Sequence, residues 1–432
     1  MYILVLIISA FALIACQMTS PHLESPIEPT RTVAENPVVS PEDQPPEWDL
    51  EYCQDSIYGQ YIIEHHKPLA ENIRKKSKRR DFFGLVTRNK LSDVSLQSRH
   101  ISFPMTNNEK VEKWVRHFQS KGRITFLKWL VKRESFKDII HPILREHGVP
   151  IELEFMAMIE SGFNNRAYSR ARATGTWQFM PLTAKRYGLK INFWVDERKN
   201  LEKATHAAAR YLKDLYHIFD DWHLAIAAYN AGPGKIKRAL RRTKSNTFWD
   251  IADSKYIRLE TKQYVPKIIA ALILASEPEK FGFQAISDNR HYTPLSTVEV
   301  KSPVLMKEIS SYLGIPSKTL TYWNPDLKKG VTPPKSQISG GYYRLRLPES
   351  LVSKFESSMP RFAKLEIKDF KLHKIKRGET LGKIARTYKV PVKKILNINP
   401  DIKPKRLRPG KSIAIPIPTV IRRIGSENKR TT

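Results

Sequence analysis

The sequence predicts a mainly α-helical chain that closes with two small α+β modules, each ordered strand, helix, helix, strand. Three observations carry this. Apolar residues recur at spacings of three and four between about residues 108 and 285, the period of helices with one buried face. Past residue 290 short β-like runs replace them, at 297–301 and 342–347. A shift of 75 residues then lays one late segment on another: Ile309 on Ile384, Pro316 on Pro391, Leu320 on Ile395, and Asn324-Pro325-Asp326-Leu327 on Asn399-Pro400-Asp401-Ile402.

The 432 residues are enough for two or three domains, and 41% of them are hydrophobic, enough for a sizeable core. The net charge of +31 is spread along the chain and implies an anionic partner. Nucleic acid is the usual such partner, but the N-terminus argues for export. Residues 2–15 form an uncharged apolar run, too short to span a bilayer as an ordinary helix and suited to a secretion signal. The run ends in Leu13-Ile14-Ala15-Cys16, which resembles a bacterial lipobox, although no Lys or Arg precedes it. That resemblance implies a signal over 1–15, acylation of Cys16 and a membrane anchor. Gln17 after the Cys, where Asp would mark inner-membrane retention, points to an outer-membrane destination facing the periplasm. Cys53 is the one other cysteine and is read as structural or incidental, since a lipidated Cys16 leaves it no partner within the chain.

Residues 16–48, rich in Pro, Glu, Thr and Ser, read as a disordered tether. The helical, basic region at 49–145 holds three apolar runs: Val111, Trp114, Val115 and Phe118; Phe126, Leu127, Trp129, Leu130 and Val131; and Ile139, Ile140, Ile143 and Leu144. Their aromatics are explained by core packing. Residues 146–285 read as all-α, with Ala- and Leu-rich stretches at 204–216 and 224–229. The two late modules cover 293–348 and 371–418, and 419–432 is a basic tail.

The chemistry concentrates in the middle. Pro150 starts a nearly apolar helix, Glu152 and Glu154 suit its N-terminal dipole, and Glu160 ends it. Apolar surroundings and the negative end of a helix both raise a carboxyl pKa, so Glu160 is placed to stay protonated near neutral pH and donate to a leaving oxygen. A glutamate at a helix end is more often merely solvated, but its surroundings point the other way. Residues 161–195 contain no Asp or Glu. They do contain Ser169 and Gly175-Thr176-Trp177-Gln178-Phe179-Met180-Pro181, followed later by Ala228-Tyr229-Asn230-Ala231-Gly232 and Glu260-Thr261-Lys262-Gln263-Tyr264-Val265-Pro266.

These motifs resemble the lytic transglycosylases of the soluble-lytic-transglycosylase, goose-lysozyme-like fold. The resemblance runs from about 100 to 285 and implies a lysozyme-like all-α catalytic domain. It places the acid/base role on Glu160, has Ser169 position the glycan's N-acetyl group or the Glu, lines the sugar cleft with Gln178 and Met180, borders the catalytic site with Tyr229 and Asn230, and turns Glu260 and Tyr264 to the cleft. Arg172 departs from the pattern, since many relatives have Gly there; a left-handed backbone at that point would strain it, and otherwise Arg172 is free to meet an anionic peptide stem. Glycoside hydrolases usually need two carboxylates, whereas in this family the sugar supplies the second function. Glu160 protonates the oxygen after N-acetylmuramic acid, the N-acetyl carbonyl stabilises the cationic centre, and Glu160 as base takes the C6 hydroxyl proton to close a 1,6-anhydro ring. Glu260 and Asp196 are the acids able to fold nearby. No metal and no cofactor is implied, and the 12 His residues show no ligand spacing.

The segment at 371–418 resembles a LysM module, through Gly378-Glu379-Thr380-Leu381, Ile384-Ala385, Val390-Pro391 and Leu407-x-Pro409-Gly410. It implies binding of N-acetylglucosamine-containing glycans, with Gly378, Thr380 and Ile402 at the groove edges. The earlier unit lacks the Gly-Glu-Thr turn and reads as a relative that has lost glycan binding and packs on the catalytic domain. The partners implied are peptidoglycan strands and a membrane, not nucleic acid; no protein partner is named by the sequence. Two other readings remain at this point, a lysozyme-type muramidase and a non-catalytic wall-binding scaffold.

Overall fold

The structure, a computed structural model, describes residues 102–283, 295–362 and 367–418. The signal, Cys16, the tether, Cys53, most of the basic N-terminal region and the tail lie outside them. Among the described residues no helix is long and apolar enough to cross a membrane.

The first body is all-α. Helix α1 (Glu109–Gln119) starts where the Asn108 side chain accepts from the Val111 amide, and it buries Val111, Val115 and Phe118. The second and third apolar runs, separate in the sequence, form one 24-residue helix, α2 (Arg123–Glu146), which tolerates Pro142 in its last turns. Pro150 opens a 3-10 turn (Ile151–Leu153), not the expected α-helix, and α3 (Glu154–Ser161) follows. Then come α4 (Pro181–Arg186), α5 (Leu201–Phe219), α6 (Trp222–Ala231), α7 (Pro233–Thr243), α8 (Phe248–Asp253) and α9 (Leu259–Ser276). Asn200 and Asp221 cap α5 and α6 through bonds to the amides of Lys203 and Leu224. Helix α9 is apolar on most of its surface because it packs against α1, α3 and α6 together.

Glu152 and Glu154 have partners stronger than a helix dipole. Glu152 accepts from the Ser102 amide and hydroxyl, each at 3.2 Å. Glu154, 1% exposed, accepts from Arg133 Nε at 2.6 Å and has His141 Nε2 at 2.9 Å. A buried carboxylate requires such partners, and they fix the start of the helix that ends in Glu160.

Two modules follow. In the first, β1 (Leu295–Val300) pairs antiparallel with β2 (Tyr343–Pro348), with α10 (Met306–Leu313) and α11 (Ser317–Trp323) between them. Helix α12 (Glu349–Phe362), which the repeat did not foreshadow, packs back on this pair. In the second, β3 (Ile367–Lys374) pairs antiparallel with β4 (Ser412–Pro418) around α13 (Leu381–Thr387) and α14 (Val392–Ile398). The repeat reappears in hydrogen bonds. Buried Asn324 donates to the carbonyls of Leu320 and Arg346 and accepts from the Arg346 amide. Asn399 makes the same three bonds with Ile395 and Ala414. Each Asn ties the end of the second helix to the return strand, so these are structural residues.

The helical body and the modules share a core. Trp194 and Val195, 3% and 2% exposed, leave the first body and join the cluster built by Val298, Leu320, Leu345 and Phe355 of the first module. Ile398 and Ala414 of the second module enter the same cluster. Backbone bonds reinforce the seam: the Asp196 amide donates to Asp326 O at 2.8 Å, and the Lys328 amide to Trp194 O at 2.8 Å. Trp194 also packs at 4.7 Å, ring to ring, on Phe370. Truncating a buried aromatic such as this one costs roughly 3–5 kcal/mol. Between the modules, the Gly330 amide donates to Ile398 O at 3.1 Å, and a Cβ on Gly330 would stand 2.3 Å from the Asn397 carbonyl oxygen. Only glycine permits that approach.

Candidate active site

Glu160 occupies the last turn of α3, which Gly162 closes in the left-handed conformation. The carboxyl is half-buried, and its Oε1 accepts from Tyr264 Oη at 2.6 Å. Its pKa is pushed up from 4.5 to about 7: burial raises it, the Tyr264 hydrogen bond opposes, and the Glu260 charge raises it further. Glu160 is therefore a protonated acid over much of the range below neutrality and a base just above it. Tyr264 and Tyr229 are held well above the ordinary tyrosine range, chiefly by burial and then by the Glu160 charge. Both remain neutral donors.

The groups predicted from sequence come from three elements that converge here. Tyr229 and Asn230 end α6, Glu260 and Tyr264 begin α9, and Gln178 and Met180 end the loop after α3. Tyr229 Oη donates to Trp177 O at 2.7 Å, tying α6 to that loop. Asn230 donates to Glu260 Oε1 at 3.3 Å and accepts from Thr261 Oγ1 at 2.8 Å. Met180 is 45% exposed. Gln178 turns its amide to Gly175 O at 2.8 Å, so its side chain supports the loop. Ser169 likewise works within the loop, where its Oγ accepts from the Ala173 amide at 3.0 Å. Glu260 is exposed and is, among the described residues, the one carboxylate whose charge raises the Glu160 pKa.

The loop itself rests on residues the motifs did not single out. Ser161 Oγ donates to Thr176 O at 2.9 Å and accepts from the Asn164 amide at 3.0 Å. Asp196 does not approach as a second acid. It is paired twice with Arg198, at 2.9 and 2.8 Å, while Arg198 Nη1 donates to the carbonyls of Arg172 and Phe179 at 2.7 and 3.0 Å. The chain passes so close that a Cβ on Gly175 would stand 1.9 Å from Arg198 O. The absence of free acids around Gly175 was visible in the sequence; the Asp196–Arg198 clamp was not, because it depends on tertiary contact.

Arg172 has φ +70°, so the backbone there is left-handed and its side chain is exposed. A non-glycine residue in this region costs roughly 1–2 kcal/mol, offset in part by the larger unfolded-state entropy of glycine. Arg172→Gly is expected to leave the melting temperature equal or slightly higher; a clear drop would show that the arginine side chain supports the loop.

The Tyr264 hydrogen bond favours the ionised carboxyl. Tyr264→Phe is accordingly expected to raise the Glu160 pKa above about 7, moving the alkaline limb of the kcat/KM profile to higher pH. An unmoved limb would dissociate that limb from Glu160.

A separate cluster gathers Glu146, His147 and His206, with His147 Nε2 3.0 Å from His206 Nδ1. It unites groups 59 positions apart, which is why spacing along the sequence did not reveal it.

In the second module Thr380 caps α13, accepting from the Lys383 amide at 3.2 Å, and Ile402 is 8% exposed in the module core. Gly378 is exposed at φ +80°. In the first module the corresponding loops are zipped together. The Thr332 amide donates to Val304 O and the Met306 amide to Gly330 O, both at 2.9 Å, with a bridge from Leu305 to Val331.

Residues 139–252 match the family described as Transglycosylase SLT domain, residues 294–364 the Lytic transglycosylase MltD, LysM-like domain, and residues 373–416 the LysM domain. The chain thus carries a transglycosylase SLT domain followed by two LysM-type modules, the first matching the form described for lytic transglycosylase MltD. The chain is 29% identical over 334 residues to membrane-bound lytic murein transglycosylase D of Escherichia coli (strain K12), covering 75% of this chain and 72% of that one. Among solved structures, it is similar to an inactive mutant of the lytic transglycosylase Slt from Pseudomonas aeruginosa (24% identity, TM-score 0.29, 35% of this chain and 25% of that one). The 70 kDa soluble lytic transglycosylase of Escherichia coli is also similar (20% identity, TM-score 0.30, 43% and 34%).

Proposed function

We propose that the chain is a peptidoglycan lytic transglycosylase acting on the β-1,4 bond between N-acetylmuramic acid and N-acetylglucosamine. The observation that carries the reading is one carboxyl, Glu160, with its pKa near 7 and a short Tyr264 hydrogen bond, inside a transglycosylase SLT domain. Glu160 gives its proton to the glycosidic oxygen as that bond breaks, while the N-acetyl carbonyl of the substrate shields the cationic carbon. As carboxylate it then takes the proton of the C6 hydroxyl, whose oxygen bonds to that carbon, and the enzyme returns to its starting state. No water is consumed. A pKa near the working pH suits a group that must act in both senses.

The second module holds the wall, and the first, with its loops zipped and its core shared with Trp194 and Val195, serves as a spacer. Lipid on Cys16 anchors the chain to the outer membrane on its periplasmic side, in line with the membrane-bound relative.

Glu260 favours one second reading, a muramidase in which it positions a water. Mass spectrometry of fragments released from purified sacculi separates the two. Products ending in 1,6-anhydro-N-acetylmuramic acid, one water lighter than reducing-end products, are expected. Reducing-end N-acetylmuramic acid would establish hydrolysis, and wall binding without release would overturn the enzymatic reading.

A further inference from the structure

Helix α7 (PGKIKRALRRT) starts three residues after Asn230 and carries Lys235, Lys237, Arg238, Arg241 and Arg242, with Lys244 at its cap. All six are exposed, and no Asp or Glu occurs from 222 to 249. Ile236 and Ala239 hold the helix to the body, at 0% and 1% exposure. Arg242 lies over the Tyr256 ring at 5.3 Å. The other five form no ion pair or side-chain hydrogen bond among the described residues.

Only part of this charge serves the helix. Arg241 and Arg242 sit in the last turn, where the dipole favours cations, but Lys235 sits in the first, where it disfavours them. Lys237 with Arg241, and Arg238 with Arg242, are like charges four apart, which repel. Eleven residues span about 16 Å, so the cations form a ridge leading away from the end of α6, where Tyr229 and Asn230 stand.

We infer that this ridge binds the carboxylates of peptide stems carried by the glycan strand in the cleft. The inference rests on the proposed function. The N-acetylated sugar backbone is neutral once its lactyl group is amidated, so a strand's negative charge lies on its stems. A row of exposed cations that begins within five residues of Asn230, beside the Glu160 site, matches that distribution. A lipid surface would require the ridge without any relation to the cleft.

The test measures binding of the Glu160→Gln protein, which does not consume its ligand, to glycan strands with intact stems and to the same strands with their stem carboxylates converted to neutral amides. Strands with charged stems are expected to bind at least about tenfold more tightly, with the advantage fading as salt rises. Adding K237Q, R238Q and R241Q, all exposed positions, is expected to remove that advantage and leave binding to the neutralised strands unchanged. Equal binding of both strands, or an advantage that survives the triple substitution, would overturn the inference. So would a triple variant whose one defect is weaker binding to phosphatidylglycerol vesicles. Turnover by the wild-type enzyme on the same strands reports separately on the proposed function.

Discussion

Glu160→Gln is expected to lower release of soluble fragments from sacculi by about 10²- to 10⁴-fold, the usual contribution of a positioned general acid/base. Wall binding should be untouched. Glutamine keeps an oxygen able to accept from Tyr264, so the geometry at 2.6 Å has no reason to collapse. The same variant makes a stability prediction whose sign follows from linkage. Glu160 binds its proton more tightly folded (about 7) than unfolded (4.5). Below pH 4.5 both states are protonated and the group is neutral to stability. As pH rises from 4.5 through 7 the unfolded state gains from ionisation and the native state does not, so native stability falls by roughly 3 kcal/mol in all. The variant has no such loss. Its melting temperature should match wild type near pH 4.5 and exceed it at pH 8. A difference independent of pH would mean that the acid is not perturbed; unchanged lysis would remove it from the chemistry.

The second large effect is expected at a residue far less conspicuous. Arg198, 4% exposed, pairs with Asp196 and holds the carbonyls of Arg172 and Phe179, the two ends of the loop that presents Gln178. Arg198→Met would leave a buried carboxylate without its counter-charge and take one donor from each of two carbonyls. Breaking one partner of a buried pair costs about 3–5 kcal/mol. The urea midpoint should fall accordingly, and turnover should fall with it as the loop loosens. Adding Asp196→Leu should restore part of the stability, because the stranded charge is then gone, but not the turnover. A single variant within about 1 kcal/mol of wild type would show that other contacts hold the loop.

Much of this architecture was legible in the sequence because it is local or repeated. Helix periods, the run ending in Glu160, and the Asn324 and Asn399 repeat are patterns within a few dozen residues. The site motifs were legible as a set, since they recur on three separate segments. Tertiary partners were not. Glu152 and Glu154 look like dipole acids until Ser102 and Arg133 arrive, and the bonds that Ser169 and Gln178 make within their loop depend on its fold. Asp196 looks like a spare acid until Arg198 takes it. Helix α2 looks like two runs in the sequence because the largely polar stretch from Lys132 to Asp138 interrupts the apolar pattern without breaking the helix. The backbone at Arg172 shows the limit most clearly, since the residue type argues against the conformation it adopts.

The wedge of Trp194 and Val195 has one more consequence. Many enzymes that grip a polymer with one module and cut it with another are joined by slack chain, and their reach is a distribution. Here the parts are cast in one piece: the side chains that seat the first module also seat the second, through Ile398, Ala414 and Phe370. The interval between the second module and the Glu160 body is thus set by packed side chains, as in a caliper, and not by the reach of a tether.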